Sequence, residues 1–463
     1  MQILLINPVI REWSKPNCFP TGLGYLAKTL TLAGHDVEVL DLNALRLPST
    51  EVSKEIESCN YDVVGIGGLI TVYSEIKNLA RICKEIHPDK LIMAGGSVST
   101  SIPKTLLEKT QVDIACIGEG EITVVEIVNA LHNNDPLEKV EGIWFKNQQG
   151  SLVANKSRPF VQDIDTIPFP RYDLFPTDIY LGNPIGYLNL KKWDDGVCDA
   201  PVERSINISS SRGCVFHCIY CYHDFMGARH RKRTALNIIQ EIELLLEQYS
   251  PKYFHFIDDN FVVSRRNVFE FCSLIVERGL DITWGCAGRV NSMDESLLVA
   301  MKESGCRFIT YGVESGSQRM LDVMKKDVKV EKVKEVLKLT MKHIGWPSPT
   351  FIVGTPGENK ATIQETVDFC KELELCPEAI FFMTPYPGTE LYRMALETGQ
   401  LSLETEEDFV LSLGEQGEQL LVNFSELPDE ELIEIKWRMA EELGAQNIKT
   451  HFPGENLAAH PRG

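Results

Sequence analysis

Ser211-Arg-Gly-Cys214-Val-Phe-His-Cys218-Ile-Tyr-Cys221-Tyr222 is the stretch that decides how this chain is read. Its three cysteines stand in CxxxCxxC spacing, with the aromatic Tyr220 before the last of them. Thiols gathered so tightly within a long chain point to metal. Structural zinc takes four ligands, commonly as two CxxC pairs, and here would need His217 or His223 as a fourth at an atypical spacing. An iron–sulfur cubane is usually held by four cysteines. Three nearby thiolates cap three irons and leave open positions on the fourth, where an amino acid can chelate through its amine and carboxylate.

Around and beyond this loop, candidate strands Ile206–Ser210, Tyr253–Asp258, Ile282–Ala287, Phe308–Val313, Thr350–Val353 and Ala379–Thr384 are each followed by a helical pattern. Six successive βα units with parallel strands curl into a partial (β/α)6 TIM-type barrel more readily than into a flat sheet. Barrels carry their chemistry at the carboxyl ends of the strands, and the cysteine loop follows the first strand. Upstream, Gln2–Asn7, Asp36–Asp41, Tyr61–Gly67, Leu91–Ala94 and Asp113–Gly118 read as strands, with helices over Gly22–Ala33, Tyr73–Ile86 and Gly120–Leu131. Several of these strands are apolar throughout, as when helices cover both faces. The expected class is α/β, with an amino-terminal doubly wound, Rossmann-like domain over residues 1–160. Its ligand side would be the strand-end turns Asn7-Pro8, Gly67-Gly68, Gly95-Gly96-Ser97 and Gly118-Glu-Gly-Glu121. Gly142–Asn155 reads as a hairpin, and the proline-rich Ile164–Pro176 opens a linker over 161–204. The barrel then occupies 205–400, and a small, mostly helical extension with a loose tail occupies 401–463, including an amphipathic helix at Asp429–Glu442.

The 463 residues leave room for two or three domains. A formal net charge of −20 argues against nucleic acid or an acidic membrane surface as the main partner; the basic run Arg229–Arg233 is the obvious candidate for a local basic patch. No stretch approaches the roughly 18 apolar residues of a membrane-spanning helix, and Met1–Asn7 lacks the features of a signal peptide. Thirteen scattered cysteines do not look like a secreted disulfide framework, so a reducing, cytoplasmic setting is expected.

From Ser205 to Leu396 the chain resembles the radical S-adenosylmethionine superfamily. The resemblance implies a 4Fe–4S cluster on Cys214, Cys218 and Cys221, and S-adenosylmethionine cleaved to a 5′-deoxyadenosyl radical. It also implies an external one-electron reductant of the flavodoxin or ferredoxin type. Carried over residue by residue, Tyr220 joins the S-adenosylmethionine set, and Asp258 and Asp259 in Phe256–Phe261 would meet the methionyl amine. Arg289 would pair with the carboxylate, and Glu314 and Ser315 in Tyr311–Ser317 would reach the ribose hydroxyls or that carboxylate. Ile352 and Gly354 in Thr350–Glu358 would pack on adenine, with Thr350 where the family usually has glycine. Asp, Asn and Ser at strand ends serve equally as helix caps and turns, so each position also has a purely structural reading. Tyr386-Pro-Gly-Thr389 would turn over the barrel mouth.

Within this superfamily an α/β domain before the barrel resembles a cobalamin-binding domain, through Pro20–Ala27, Gly65–Thr71, Ala94–Ser99 and Ile117–Glu121. Gly22, Gly67, Gly68, Gly95, Gly96, Ser97, Gly118 and Glu119 are the candidate contacts, since small residues let a corrin approach the backbone. None of the ten histidines stands in an Asp-x-His-x-x-Gly loop, so the resemblance implies no protein histidine beneath the cobalt. A degenerate flavodoxin-like domain that only recognises substrate is the other reading. Cys18, Cys59, Cys83 and Cys116 are too far apart for the second cysteine set of a methylthiotransferase. No cysteine follows Cys376, so a single cluster is expected. The implied activity is a cobalamin-dependent methyltransferase acting on an unactivated carbon of a small molecule or a natural-product or lipid intermediate. A radical cyclase or isomerase using the same cofactors is the second reading. A non-catalytic Fe–S electron carrier is a third, which fits the cluster but not the strand-end motifs. No catalytic side chain is nominated.

Overall fold

A computed structural model describes residues 1–12, 14–183, 204–414 and 419–445, so the second half of the expected linker and the expected tail lie outside the described residues. The first sheet contains β1 (Gln2–Asn7), β2 (Asp36–Asp41), β3 (Val63–Gly67), β4 (Leu91–Gly95), β5 (Ile114–Cys116), β6 (Ile143–Lys146) and β7 (Leu152–Ala154). Its order is β2-β1-β3-β4-β5-β6-β7. The first five strands run parallel, and the expected hairpin adds β6 and β7 antiparallel at one edge.

The alternation of side chains along a strand explains how β1 binds both layers. Ile3 and Leu5 pack with Leu23, Ala27, Val124 and Ile127 from the helices Thr21–Leu32 and Glu121–Asn133. Leu4 and Ile6 pack on the opposite face with Ile76 and Leu79 from the helix Tyr73–Ile86. The chain leaves β1 for β2 on one side and then returns to β3 on the other, so the crevice for a ligand opens at the carboxyl ends of β1 and β3.

The second sheet contains β8 (Ser205–Ile208), β11 (Tyr253–Phe256), β12 (Thr283–Gly288), β13 (Cys306–Glu314), β14 (Ser348–Val353) and β15 (Ala379–Phe382), neighbours in that order and all parallel. This is the partial barrel. Two short strands, β9 (Ser211–Arg212) and β10 (Arg231–Lys232), pair antiparallel after β8. Phe256, Phe271 and Trp284 interlock edge to face beneath the strands, with centroids 5.3–5.7 Å apart.

The proline-rich segment is a strap fastened into both units. Tyr172, Phe175 and Tyr180 surround the Phe19 ring at 4.7, 5.0 and 5.9 Å. The Tyr180 hydroxyl donates to buried Asp41, and Tyr172 donates to buried Glu241 at 2.8 Å. Asn207 on β8 accepts from Phe19 N at 2.6 Å and donates to Phe19 O at 3.0 Å.

The region after 400 divides between the two units. Val410 and Leu413 enter the first domain's core, where Glu407 accepts from Tyr73 and Lys77 at 2.7 and 2.6 Å. The helix Asp429–Leu443 instead packs on the barrel through Leu432, Ile435 and Met439. The basic run is only partly a surface patch: Arg229 and Lys232 are exposed, whereas Arg231 and Arg233 are buried in ion pairs with Glu119 and Glu241. Among the described residues no helix is long and apolar enough to cross a membrane.

Candidate active site between two strand-end faces

The cysteine loop leaves β8 at its carboxyl end and is held at its root. Gly213, immediately before Cys214, has φ +78°, and a Cβ there would lie 2.4–2.9 Å from the carbonyl oxygens of Arg229, Gly227 and Met226. Only glycine fits. Asp258 at the end of β11 accepts from Ser210 N and Oγ at 2.9 and 3.0 Å, from Ser211 Oγ at 2.8 Å, and from Ser211 N. Burial raises its carboxyl to about 6, against the pull of these donors. Both Asp258 oxygens are therefore turned to the loop root. Asp259 is exposed and lies close enough to Cys214 and His223 to act on their charges.

Within the loop, a hydrogen bond from Cys221 holds the Cys218 thiol well below its ordinary range, with Lys326 and Arg289 acting in the same sense. Arg289 Nη1 donates to Cys218 Sγ at 3.1 Å while its guanidinium stacks on Phe216 at 3.7 Å, and it also bonds the Lys326 carbonyl. Lys326 Nζ reaches Glu314 at 2.7 Å and the Tyr220 hydroxyl at 3.3 Å, and Tyr220 donates to Glu314 at 3.0 Å. Tyr220, Arg289 and Glu314 thus meet around Cys218 and Lys326. Lys326 is buried, but in sequence it is one of two adjacent lysines and carries no signal of its role.

Ser315 is placed apart from this group. Its hydroxyl pairs with Thr366 at 3.0 Å and accepts from Ser317 N, a turn-closing arrangement. Ile352 is half-buried on β14. Gly354, at φ +89°, faces Leu432 of the carboxyl-terminal helix, and its N–H donates to buried Glu358 at 2.5 Å.

The donor set can be tested against metal. Among the described residues no three His, Cys, Asp or Glu side chains converge on one ion-sized point. A cubane takes each thiolate on a different iron. The cationic surroundings of Cys218 suit an anionic cluster, and Arg289 Nε, Asn260 Nδ2 and His223 Nε2 are buried there without partners. The residues fit the cluster.

On the other side, Gly96 at φ +92° would place a Cβ 2.2 Å from Gly68 O, so the turns after β3 and β4 touch through bare backbone. Gly67 and Gly68 pack against Leu23, Val72 and Ile76. A Cβ at Gly22 would meet nothing within 4 Å, one at Gly95 would have a single neighbour at 3.9 Å, and one at Gly118 would lie 3.5 Å from Phe160. Ser97 accepts from Ile70 N at 3.1 Å. Buried Ser99 Oγ lacks a partner. The backbone left uncovered at Gly22 and Gly95, with the unpartnered Ser99 hydroxyl nearby in sequence, fits the approach of a large planar macrocycle.

Glu119 is committed elsewhere. Its carboxylate accepts from Arg212 and Arg231 at 2.8 Å and from Val161 N at 2.7 Å, and it is buried. The contact has a consequence for the whole molecule, since the turn after β5 abuts the root of the cysteine loop. At the far side, Tyr386 after β15 packs against the first domain's core, as Val9 after β1 does. The ligand-bearing ends of the two sheets therefore face each other.

The Radical SAM superfamily matches residues 208–370, and the B12 binding domain matches residues 9–128. An uncharacterized methyltransferase of Pyrococcus horikoshii is 31% identical over 87% of this chain and 84% of its own length. An anaerobic magnesium-protoporphyrin IX monomethyl ester cyclase of Rubrivivax gelatinosus is 26% identical over 85% of this chain and 70% of its own. The solved structure of the radical S-adenosylmethionine methyltransferase TsrM from Kitasatospora setae, with cobalamin and a [4Fe-4S] cluster bound, superposes with a TM-score of 0.69 at 19% identity. That match covers 86% of this chain and 75% of TsrM. With a thiol loop suited to a cubane on one face and a glycine rim suited to a corrin on the other, the chain belongs to the radical S-adenosylmethionine enzymes that carry a cobalamin-binding domain, and its cofactors are a 4Fe–4S cluster, S-adenosylmethionine and cobalamin.

Proposed function

We propose that this enzyme transfers a methyl group to an unactivated carbon of a small molecule. The observation that carries the reading is the opposition of the two strand-end faces. A substrate placed between the glycine rim and the cysteine loop would meet both cofactors. When bound, the cluster with S-adenosylmethionine supplies a carbon-centred radical, and cobalamin supplies a transferable methyl group.

The chain's own residues would act by holding and orienting. Cys214, Cys218 and Cys221 would be the cluster ligands. Arg289 and Lys326 place positive charge beside Cys218 and favour an anionic centre there. Glu314 is held by Tyr220 and Lys326, its backbone at φ +69°, at the end of β13. It is fixed for a hydrogen bond to the polar part of S-adenosylmethionine. Asp259 is the carboxylate left free for the methionyl ammonium, because Asp258 is bound to the loop root. Asp258 and Ser315 then act on S-adenosylmethionine through the backbone they hold. Gly354 with Leu432, and Ile352, would form the apolar wall for adenine. Gly22, Gly67, Gly68, Gly95, Gly96, Ser97 and Gly118 would form the corrin rim, with Glu119 behind it.

Ile10 after β1, Leu69 after β3, Val215 in the cysteine loop and Ile257 after β11 are large apolar side chains between 38 and 46% exposed. Their position at strand ends of both sheets supports a substrate with an apolar surface. An external one-electron reductant and a cytoplasmic setting complete the reading.

The test uses anaerobically reconstituted enzyme with hydroxocobalamin, a reductant, a metabolite extract and methyl-deuterated S-adenosylmethionine. Deuterated methyl in a product, formed together with 5′-deoxyadenosine, is expected. 5′-Deoxyadenosine with a new product free of label would overturn methyl transfer in favour of rearrangement or of ring formation, the latter being the activity named for the Rubrivivax relative.

A further inference from the structure

Between the corrin rim and the cysteine loop lies a buried set of charged groups that no cofactor contact explains. Glu119 and Glu121 stand on the turn after β5. Arg212 is on β9, two residues before Cys214, and Arg231 is on β10, which closes the same loop. All four side chains are at most 9% exposed. Arg212 spans the two glutamates, at 2.8 Å to Glu119 and 2.5 Å to Glu121. Arg231 bonds Glu119, the Val161 carbonyl at 2.7 Å and the Met226 carbonyl at 2.8 Å, and it stacks on Phe160 at 4.9 Å. Arg212 lies over Tyr25 at 5.4 Å.

A buried pair of this kind is weak as a source of stability, since desolvation cancels much of the attraction. What its forked geometry does is fix register. Here the fixed parts are the backbone beside the cobalt-side cofactor and the backbone beside the iron ligands.

We propose that Glu119 is a positioning residue that sets the separation of the two cofactors by locking the turn Gly118–Glu121 to the β9–β10 pair. The proposal rests on the reading that the glycine rim holds the corrin. A displacement of about 1 Å between reacting partners costs on the order of 10²-fold in rate, so a rigid link at this seam has a direct effect on methyl transfer. Cleavage of S-adenosylmethionine uses the barrel side alone, where the loop root keeps its separate anchor on Asp258, so it is less sensitive to the link than methyl transfer.

The test is Glu119→Gln in the full chain, reconstituted with iron, sulfide and hydroxocobalamin. Pulsed electron paramagnetic resonance then reads the coupling between reduced cluster and cob(II)alamin. Expected is wild-type iron and corrinoid content with a broadened or shifted cluster-to-cobalt distance distribution. Labelled methyl transfer should fall roughly 10- to 100-fold relative to 5′-deoxyadenosine formation. Both cofactors retained with an unchanged distribution would overturn the proposal. Should Glu119→Gln fail to fold, Arg231→Lys serves in its place. It keeps the charge but cannot reach Glu119, Val161 and Met226 together, and the same two outcomes decide. Wild-type protein that holds no corrinoid would instead sink the cobalamin-site reading, a result distinct from either.

Discussion

Replacing Asp258 with Ala removes the acceptor for four donors at the root of the cysteine loop, Ser210 N and Oγ and Ser211 N and Oγ. The two hydroxyls can turn to other acceptors, but the two backbone N–H groups are fixed by β8 and β9 and buried with the serines. Each donor left unsatisfied costs about 1–3 kcal/mol, so the local penalty is about 2–6 kcal/mol. That is enough to loosen the loop against a total stability of roughly 5–15 kcal/mol for a domain. The direct assay is iron and sulfide content after anaerobic reconstitution, with circular dichroism to show that the fold persists. Asp258→Ala should hold well under half the wild-type iron, and Asp258→Asn, which keeps one acceptor oxygen, should fall between. In the Asn protein that does carry a cluster, the dissociation constant for S-adenosylmethionine should stay within about threefold of wild type, under 1 kcal/mol. Full iron occupancy in the Ala variant would refute the anchoring role. A tenfold or larger loss of S-adenosylmethionine affinity in the Asn variant would return Asp258 to direct contact with the methionyl amine.

Gly96→Ala should destabilise the first domain by more than the roughly 1–3 kcal/mol of a strained backbone conformation, because the new Cβ meets Gly68 O at 2.2 Å; a thermal midpoint equal to wild type would contradict this. Burial raises the Glu358 carboxyl from 4.5 to about 7. The folded chain thus holds that proton more tightly than the unfolded one, and the contribution is fullest below pH 4.5 and lost as pH rises through 7, by up to about 3 kcal/mol. Glu358→Gln should remove that slope from the difference between denaturation curves at pH 5 and pH 8, and an unchanged slope would count against the assignment. Tyr180→Phe should lower stability by about 1–3 kcal/mol, because it deprives buried Asp41 of a donor, while leaving iron content as in wild type; chemical denaturation checks it.

The parts of this molecule that repeat a simple rule were readable before the structure. Runs such as Ile3–Ile6 and Val63–Ile66 are apolar on both faces because helices cover both, and the strands of both sheets follow from that. Periods of two and 3.6 residues describe one element at a time, and that is where reading stopped. Pro168, Pro170 and Pro176 signalled a linker, yet Tyr172, Phe175 and Tyr180 tie the segment around Phe19, a contact over 150 residues long in sequence. The helix Ser49–Ser58 escaped because only Ile56 of its residues is buried, which leaves no apolar stripe to detect. In the site, the cysteine spacing marked the three thiols proposed here as cluster ligands. The partners of Cys218 could not be found that way, since Arg289 and Lys326 come from other strand ends. Glu119 sits in a glycine-rich turn of the kind that holds ligands, and only the burial of Arg212 and Arg231 against it shows its different employment. The basic run Arg229–Arg233 looked like surface charge for the same reason, namely that local sequence does not reveal which cations already have carboxylates.

Everything proposed for this enzyme requires that Cys214, Cys218 and Cys221 hold a cubane to which S-adenosylmethionine can bind. The most direct measurement of this is the electron paramagnetic resonance spectrum of the reduced, anaerobically purified protein, taken without and with S-adenosylmethionine. A single four-iron signal that changes on addition, and that disappears in Cys218→Ala, is the predicted result. Zinc in place of iron, or a cluster signal indifferent to S-adenosylmethionine, would contradict the account.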